Sequence, residues 1–424
     1  MLHEHPVGHR VHVRIAIVHY TLPPIVGGVE HVVAQHATLF AEHGHEVTLL
    51  SATASADKEI ANARICCLCI PELAARRIPN DVPVRAEFES EVQRLEAILG
   101  YNFAEMDVVF LHNVCTMPFN LPLTAALHRL APRLQETRMV SWIHDIAVIN
   151  PDYQIPEGDG WDYLRQASAD MSHVAVSELR KRQWCELAGI PDALCAVVPN
   201  GIAVSEALQL TEVMERFTRR YSILEREIVL LHPTRLLHRK NVEFSLDTTA
   251  ALKTEGRSVA TLITAAADPH HVPSDDYARA LRSRRDELGL EDDVFFLGEL
   301  WRVDSDDMSA LYRIADAIIF PSRQEGFGIP PLEAALHRIP CFCTDIEPLR
   351  SLPGVIPFAP DSSPRNVALL IIQRMQHWPT NSPRKAVAKD YAWSAIYRKH
   401  LAPLLLETNN PNSNESRHYF CSNH

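Results

Sequence analysis

Pro321-Ser322-Arg323-Gln324-Glu325-Gly326-Phe327-Gly328-Ile329-Pro330-Pro331-Leu332-Glu333-Ala334 follows directly on the apolar run Ala317–Phe320. The stretch reads as a buried strand, a short loop and the start of a helix. Gly326 and Gly328 flank Phe327 and let the backbone come close to a ligand. Pro330 and Pro331 suit the first helical positions, where an N–H has no partner anyway. The helix start behind them offers free N–H groups and a positive dipole end to an anion. Glu325 precedes the turn, and Glu333 is placed in the first helical turn. Carboxylates beside an anion site make sense when the ligand also carries hydroxyls. A nucleotide-sugar combines phosphates with hydroxyls in this way.

Outward from that stretch, strand and helix alternate along the chain. Arg14–His19 is a buried-strand run. Glu30–His43 has helical periodicity and stops at Gly44, a natural C-cap. Further strands are expected at Glu46–Ser51, Asp107–Leu111, Met139–Ile143, His173–Val176 and Ala196–Pro199, and Ser177 caps a helix to Leu187. Ser205–Glu227 is charged and amphipathic, and reads as a connection with a leading helix. A second series follows at Ile228–Thr234, Val259–Ala265, Val294–Leu297, Ala317–Phe320 and Pro340–Thr344. Short apolar strands with helices between them imply parallel sheets covered on both faces. The expected fold class is therefore α/β, with two Rossmann-like, doubly wound domains.

Length and composition agree with two domains. The chain has 424 residues and is 46% hydrophobic, enough for two cores. A formal charge of −12 argues against nucleic acid as a partner. No run of eighteen apolar residues predicts a membrane span, and the polar, His-rich start lacks an apolar signal core, so a cytoplasmic location is expected. Cys66-Cys67-Leu68-Cys69 lies in a strand-like run without a second Cys or His cluster, and reads as buried or half-buried thiols rather than a metal site. Asp304-Ser305-Asp306 lies between a strand and a helix and reads as a capping sequence rather than a metal-binding D-x-D. The histidines show no metal-ligand spacing, and each reads as a single buried or surface residue.

The segment Glu325 to Glu333 resembles the Glu-(seven residues)-Glu signature of retaining glycosyltransferases with the GT-B fold, and of glycosyltransferase family 4 in particular. Four further stretches fit the same family in order: Gly27-Gly28-Val29-Glu30, His144-Asp145, Pro199-Asn200-Gly201-Ile202, and Thr234-Arg235-Leu236-Leu237-His238-Arg239-Lys240-Asn241. The resemblance spans residues 14 to 350 and continues more weakly to about 405. It implies two facing domains with a cleft between them: residues 1–205 on the acceptor side, 206–383 binding the nucleotide-sugar, a helix over 384–406 crossing back to the first domain, and a polar tail at 407–424 expected to be disordered.

The resemblance also implies roles. Arg235 and Lys240 would clamp the diphosphate, and His144 would touch the donor sugar with Asp145 orienting its ring. Glu325 would hold sugar hydroxyls and Glu333 the ribose. Gly27 and Gly28 would face the donor phosphate, while Gly326, Phe327, Gly328 and Ile329 would present backbone N–H groups. The implied reaction is retaining transfer of glucose or mannose from a UDP- or GDP-sugar to a hydroxyl of a sugar-containing acceptor. No cofactor and no metal is required, although magnesium is compatible. Peripheral membrane contact and homo-oligomerisation stay open. The alternatives are a non-catalytic nucleotide-sugar-binding subunit of a partner transferase, or a phosphorylase or epimerase on the same fold. The base pocket is expected near the loops after Ala265 and Leu297, and acceptor contacts near Pro71–Val84, Asn113–Phe119 and Asn150–Trp161.

Overall fold

The computed structural model describes residues 12–25, 27–53, 62–76, 87–158, 160–264, 274–376 and 381–406. The expected tail, and the parts of the expected base and acceptor loops at 77–84 and 265–273, lie outside those residues. The chain divides into two units. One runs through Ile202 and resumes at Trp393; the other is Ala203–Ala392.

The first unit is built on seven strands: β1 (Arg14–Val18), β2 (Glu46–Ser51), β3 (Ile65–Cys69), β4 (Val108–His112), β5 (Arg138–Ile143), β6 (Met171–Ala175) and β7 (Cys195–Val197). They pair in the order β3-β2-β1-β4-β5-β6-β7, every pairing parallel. β1 sets the register on both sides, with Ile15 opposite Val47 and Val108. β1 and β4 are buried along nearly their whole length, which is why they read as continuous apolar runs. Helix Gly28–Glu42 covers one face by burying Val32, Val33, Phe40 and their neighbours. Its Phe40 ring stacks on Phe110 of β4 at 5.4 Å. The chain leaves this helix through Gly44 at φ +95. Truncating Phe40 to alanine would cost about 3–5 kcal/mol through the cavity left behind.

The second unit has six strands: β8 (Ile228–His232), β9 (Val259–Ile263), β10 (Val294–Phe296), β11 (Ala317–Phe320), β12 (Cys341–Thr344) and β13 (Val355–Phe358). Their order is β10-β9-β8-β11-β12-β13, again all parallel. In each unit the winding reverses once, between β1 and β4 and between β8 and β11. In open α/β sheets the crevice outside the strand ends at such a reversal is where ligands bind. Gly27 follows β1, Lys240 follows β8 and Glu325 follows β11, all beside a reversal.

Two expectations about the fold change, and others change at the site. The cysteines of β3 are exposed, because β3 is the edge strand among the described residues; Cys341 and Cys343 of β12 are buried, as their alternation implies. The segment 384–406 is not one helix crossing at its start. Asn381–Ala386 stays in the second unit, where Arg384 and Lys385 both pair with the buried Asp316 below β11. The helix breaks at Ala392, whose ψ of 141 is extended, and Trp393 begins the return to the first unit. There Trp393 donates its N–H to Ile202 at 3.4 Å, and its ring lies so close to Gly201 that a Cβ at that position would overlap it. Among the described residues, no helix is long and apolar enough to cross a membrane.

Candidate functional site

In the second unit the decisive loop runs from Pro321 to Gly328 and opens helix Ile329–Leu336. Gly328 is the N-cap at φ +97, and a Cβ there would stand 2.6 Å from Leu349. Both facts demand glycine. A Cβ on Gly326 would meet nothing among the described residues within 4 Å, so the backbone there is open to a ligand. Phe327 and Ile329 are 56% and 61% exposed, unusual for large apolar side chains beside a buried strand.

Glu325 points inward. Its carboxylate pairs with Lys240 Nζ, and Arg239 Nη1 lies 3.5 Å from the second oxygen. Lys240 also lies 5.0 Å from the centre of the Phe320 ring, a cation–π distance. The two loops belong to adjacent strands and are laced together further. Arg323 donates its N–H to the Arg239 carbonyl at 2.8 Å, and its guanidinium bonds Asn241 and Glu243 at 3.0 and 3.1 Å. Asn241, at φ +55, ends the basic turn and starts helix Val242–Thr254. Arg235 leaves the same turn with its side chain exposed. Lys240 and Glu325, 85 residues apart in sequence, are therefore one unit of chemistry.

Glu333 is not in the first helical turn. The helix begins at Ile329, which makes Glu333 its fifth residue. Its carboxylate accepts a 2.6 Å hydrogen bond from Tyr312, whose ring stacks on His337 at 5.1 Å. Burial, then this carboxylate, push the Tyr312 hydroxyl far above its ordinary pKa. Tyr312 thus orients Glu333 from helix Ser305–Ile314. At the start of that helix Asp304 accepts from the Asp306 and Asp307 N–H groups, both at 2.9 Å, in a capping box. The D-x-D sequence is a helix cap here.

In the first unit, Gly27 and Gly28 open helix Gly28–Glu42. The Glu30 side chain folds back over this start and occupies the place a Gly27 Cβ would need. Its Oε1 accepts from Thr21 at 2.6 Å and lies 3.7 Å from His19 Nε2. The His19 interaction, helped by Thr21, holds the Glu30 carboxyl down to about 2 against the cost of burial. The helix start that was expected to face a phosphate already holds a carboxylate of its own. Gly28 stays open, with nothing among the described residues within 4 Å of a would-be Cβ.

His144 follows β5. Its main-chain N–H and that of Asp145 both point to Asn113 Oδ1, at 3.2 and 2.9 Å. Asp145 does not orient the imidazole: its carboxylate takes Arg180 at 2.5 Å. The ring instead meets His112, whose Nδ1 is 3.1 Å from His144 Nε2. His112 in turn is backed by His36 and Trp142, and its carbonyl lies 2.8 Å from His19 Nδ1. Burial and the neighbouring His19 press His144 down to about 3. Burial, with His144 beside it, presses His36 to about 3, and His112 lies well below its ordinary value. The histidines are a cluster, not isolated residues. His112, His19, Glu30 and Tyr312 are the neighbours of the candidate residues that local patterning missed; only Glu30 lay inside a motif that could have drawn attention to it.

Each unit therefore presents hydrogen-bonding groups and a glycine-opened helix start at its reversal point. The second unit adds the cations Arg235, Arg239 and Lys240. Two family profiles match the chain in succession: Glycosyltransferase Family 4 over residues 26–206, and Glycosyl transferases group 1 over residues 213–353. The mannosylglucosylglycerate synthase of Petrotoga mobilis is 23% identical over 268 residues, 57% of this chain and 60% of that protein. The O-antigen chain mannosyltransferase RfbU of Salmonella typhimurium is 42% identical over 71 residues, 17% of this chain and 19% of its own length. The matches thus span at most about 60% of these two relatives. Among solved structures, Anabaena Alr3699/HepE in complex with UDP and glucose is similar at 17% identity over 93% of this chain and 100% of that one, with a TM-score of 0.36.

Proposed function

From membership of glycosyltransferase family 4 and its two-domain GT-B fold, to which this chain belongs, we propose that it is a retaining hexosyltransferase. It moves glucose or mannose from a UDP- or GDP-sugar to a hydroxyl of a sugar-containing acceptor. The observation that carries this reading is the Glu325–Lys240 pair at the foot of a glycine-opened helix start. A carboxylate and a lysine held together beside free backbone N–H groups suit a ligand with hydroxyls on one side and phosphates on the other.

In this reading the diphosphate lies against the Gly326–Ile329 backbone and the Arg235 and Lys240 cations. Breaking the bond between the sugar's anomeric carbon and the phosphate oxygen leaves new negative charge on the diphosphate. Stabilising that charge is the largest electrostatic contribution available to this site. Glu325 accepts hydrogen bonds from sugar hydroxyls, Glu333 from the ribose with Tyr312 behind it, and His144 meets the transferred sugar. The acceptor hydroxyl attacks from the face the diphosphate leaves, and its proton passes to the departing phosphate oxygen. No cofactor enters, and positioning supplies the remainder. A cytoplasmic location suits a nucleotide-sugar donor.

The test is turnover by the purified chain across a panel of UDP- and GDP-hexoses. Nucleoside diphosphate release is measured with and without sugar acceptors, and Glu325→Ala serves as control. One donor that raises the melting temperature and is consumed, with consumption lost in the variant, supports the reading. NMR of the product anomer then decides the stereochemistry, and an inverted product overturns the retaining assignment. Absence of any response to every donor removes the transferase reading and leaves a non-catalytic subunit.

A further inference from the structure

We propose that His112 is a positioning residue that fixes His144 as an Nδ1–H hydrogen-bond donor, with its Nε2 lone pair already engaged. The inference deepens the reading above and rests on it only in what His144 touches; the tautomer itself follows from the first unit alone.

His112 is the last residue of β4 and is wholly buried. Its ring is held on three sides: stacked on Trp142 at 5.1 Å, edge-on to His36 at 5.2 Å, and 3.1 Å from His144 by Nδ1. Its carbonyl is engaged by His19 Nδ1. The two ring contacts fix the plane of the imidazole, and the Nδ1···Nε2 contact holds its Nδ1 edge towards His144.

One of the two nitrogens in that contact carries the hydrogen. His112 Nε2 is buried and has no hydrogen-bond partner among the described residues. If His144 were the donor, His112 would need its own hydrogen on Nε2, and a buried N–H would be stranded. Orphaned buried N–H groups are the rarer kind of defect in proteins. If His112 Nδ1–H donates, only a lone pair is stranded. The bonding network therefore assigns the hydrogen to His112 Nδ1. His144 then accepts at Nε2 and holds its single hydrogen on Nδ1. Burial keeps both rings uncharged at neutral pH, so neither carries a second hydrogen.

The consequence is chemical. A histidine whose lone pair is engaged and whose charge is suppressed is neither a general base nor an anion clamp. It offers one uncharged N–H. That fits an oxygen of an uncharged sugar, a hydroxyl or ring oxygen, and leaves proton removal from the acceptor to the departing phosphate. His112 sets this role without touching the ligand itself.

The test uses the full chain and two variants. His112→Asn keeps an N–H close to the position of Nδ1, and His112→Leu removes it. Nitrogen-15 NMR of the His144 ring, recorded without substrate, reads the tautomer directly. A protonated Nδ1 and bare Nε2 are expected in the native chain and in His112→Asn, with that preference lost in His112→Leu. With a donor that turns over, kcat is expected to fall about tenfold in His112→Leu with little change in KM, the worth of one hydrogen bond, and to recover in His112→Asn. A native His144 protonated on Nε2 overturns the proposal, and so does a His112→Leu chain that keeps the native tautomer and kcat. If no donor is turned over, the transferase reading fails while the NMR result still decides the tautomer. If His112→Leu does not fold, the native spectrum alone decides.

Discussion

Glu325 and Lys240 form an ion pair in which the carboxylate side chain is 7% exposed and the lysine 13%. Charge pairs this enclosed punish the loss of one partner more than the loss of both. The two losses are not equivalent here. Without Lys240, Glu325 keeps Arg239 at 3.5 Å; without Glu325, two cations face each other. Glu325→Met is therefore expected to destabilise the second unit more than Lys240→Met, by about 1.5–3 kcal/mol against about half that. The double variant should recover at least about 1 kcal/mol relative to the sum. Denaturant titration of the four proteins measures the cycle, and strict additivity would show that the pair is not coupled.

Acid should weaken the first unit well before ordinary carboxylates are protonated. His36 and His144 are pressed to about 3, and His112 lies well below its usual value, all by burial first. An unfolded histidine takes up a proton near pH 6.5. Between about 6.5 and 3 the unfolded chain therefore binds more protons than the folded one, and stability rises with pH. Each such ring removes about 1.4 kcal/mol per pH unit as pH falls through that window. Glu30 acts in the same direction lower down: held at about 2, its contribution is present above its ordinary 4.5 and is lost as pH falls towards 2. Melting temperature against pH should thus be flat above about 7 and decline steeply below 6. A profile flat down to pH 5 would mean that the cluster is hydrated or already charged.

The two sheets were legible because their strands are apolar on both faces, and the glycine and proline positions at 326–331 announced the loop and helix start. What stayed hidden depended on neighbours. β13 is a half-exposed edge strand containing Pro357, so it carries no continuous apolar run. The β3 cysteines read as interior because strand composition does not reveal an edge. Glu333 was placed one turn early, since nothing local fixes the helix start at Ile329. His112 is one histidine among twenty-two, and it matters only because β4 and β5 are adjacent. That adjacency is a property of topology, not of the residues around it.

Gly27 and Glu30 should show a dependence that neither residue reveals alone. A Cβ on Gly27 overlaps the Glu30 carboxylate, so Gly27→Ala must push that side chain off Thr21 and His19. Losing those bonds costs about 1–3 kcal/mol. In a Glu30→Ala background the obstruction is gone, and Gly27→Ala should then cost less than about 1 kcal/mol. Gly27 is extended at φ −159, where alanine is at ease. Thermal unfolding of the single and double variants checks this. An equal cost in both backgrounds would place the need for glycine elsewhere in the loop.

Asp316 is fully buried beneath β11, and three groups converge on it: the Val229 N–H at 2.7 Å, Arg384, and Lys385 at 2.5 Å. Arg384 also donates to the Arg313 carbonyl at 2.5 Å, and Lys385 to that of Arg226 at 2.6 Å. This carboxylate therefore ties the segment that ends at Ala392 to the sheet of the second unit, while Trp393 ties the next residue to the first. Burial lowers the Lys385 pKa, and the proximity of Asp316 works against that fall. Replacing Asp316 by Asn removes the negative charge with which both cations pair and leaves them side by side. The expected loss is about 3–5 kcal/mol, the cost of breaking a buried pair from one side. Removing the cations as well, with Arg384→Met and Lys385→Met, should return part of it. Proteolysis supplies the local readout. If Asp316 is the anchor, Asp316→Asn opens the chain to cleavage between residues 381 and 392 under conditions where the native protein resists. Cleavage unchanged there, with stability lost throughout, would show that Asp316 supports the sheet and does not hold the segment.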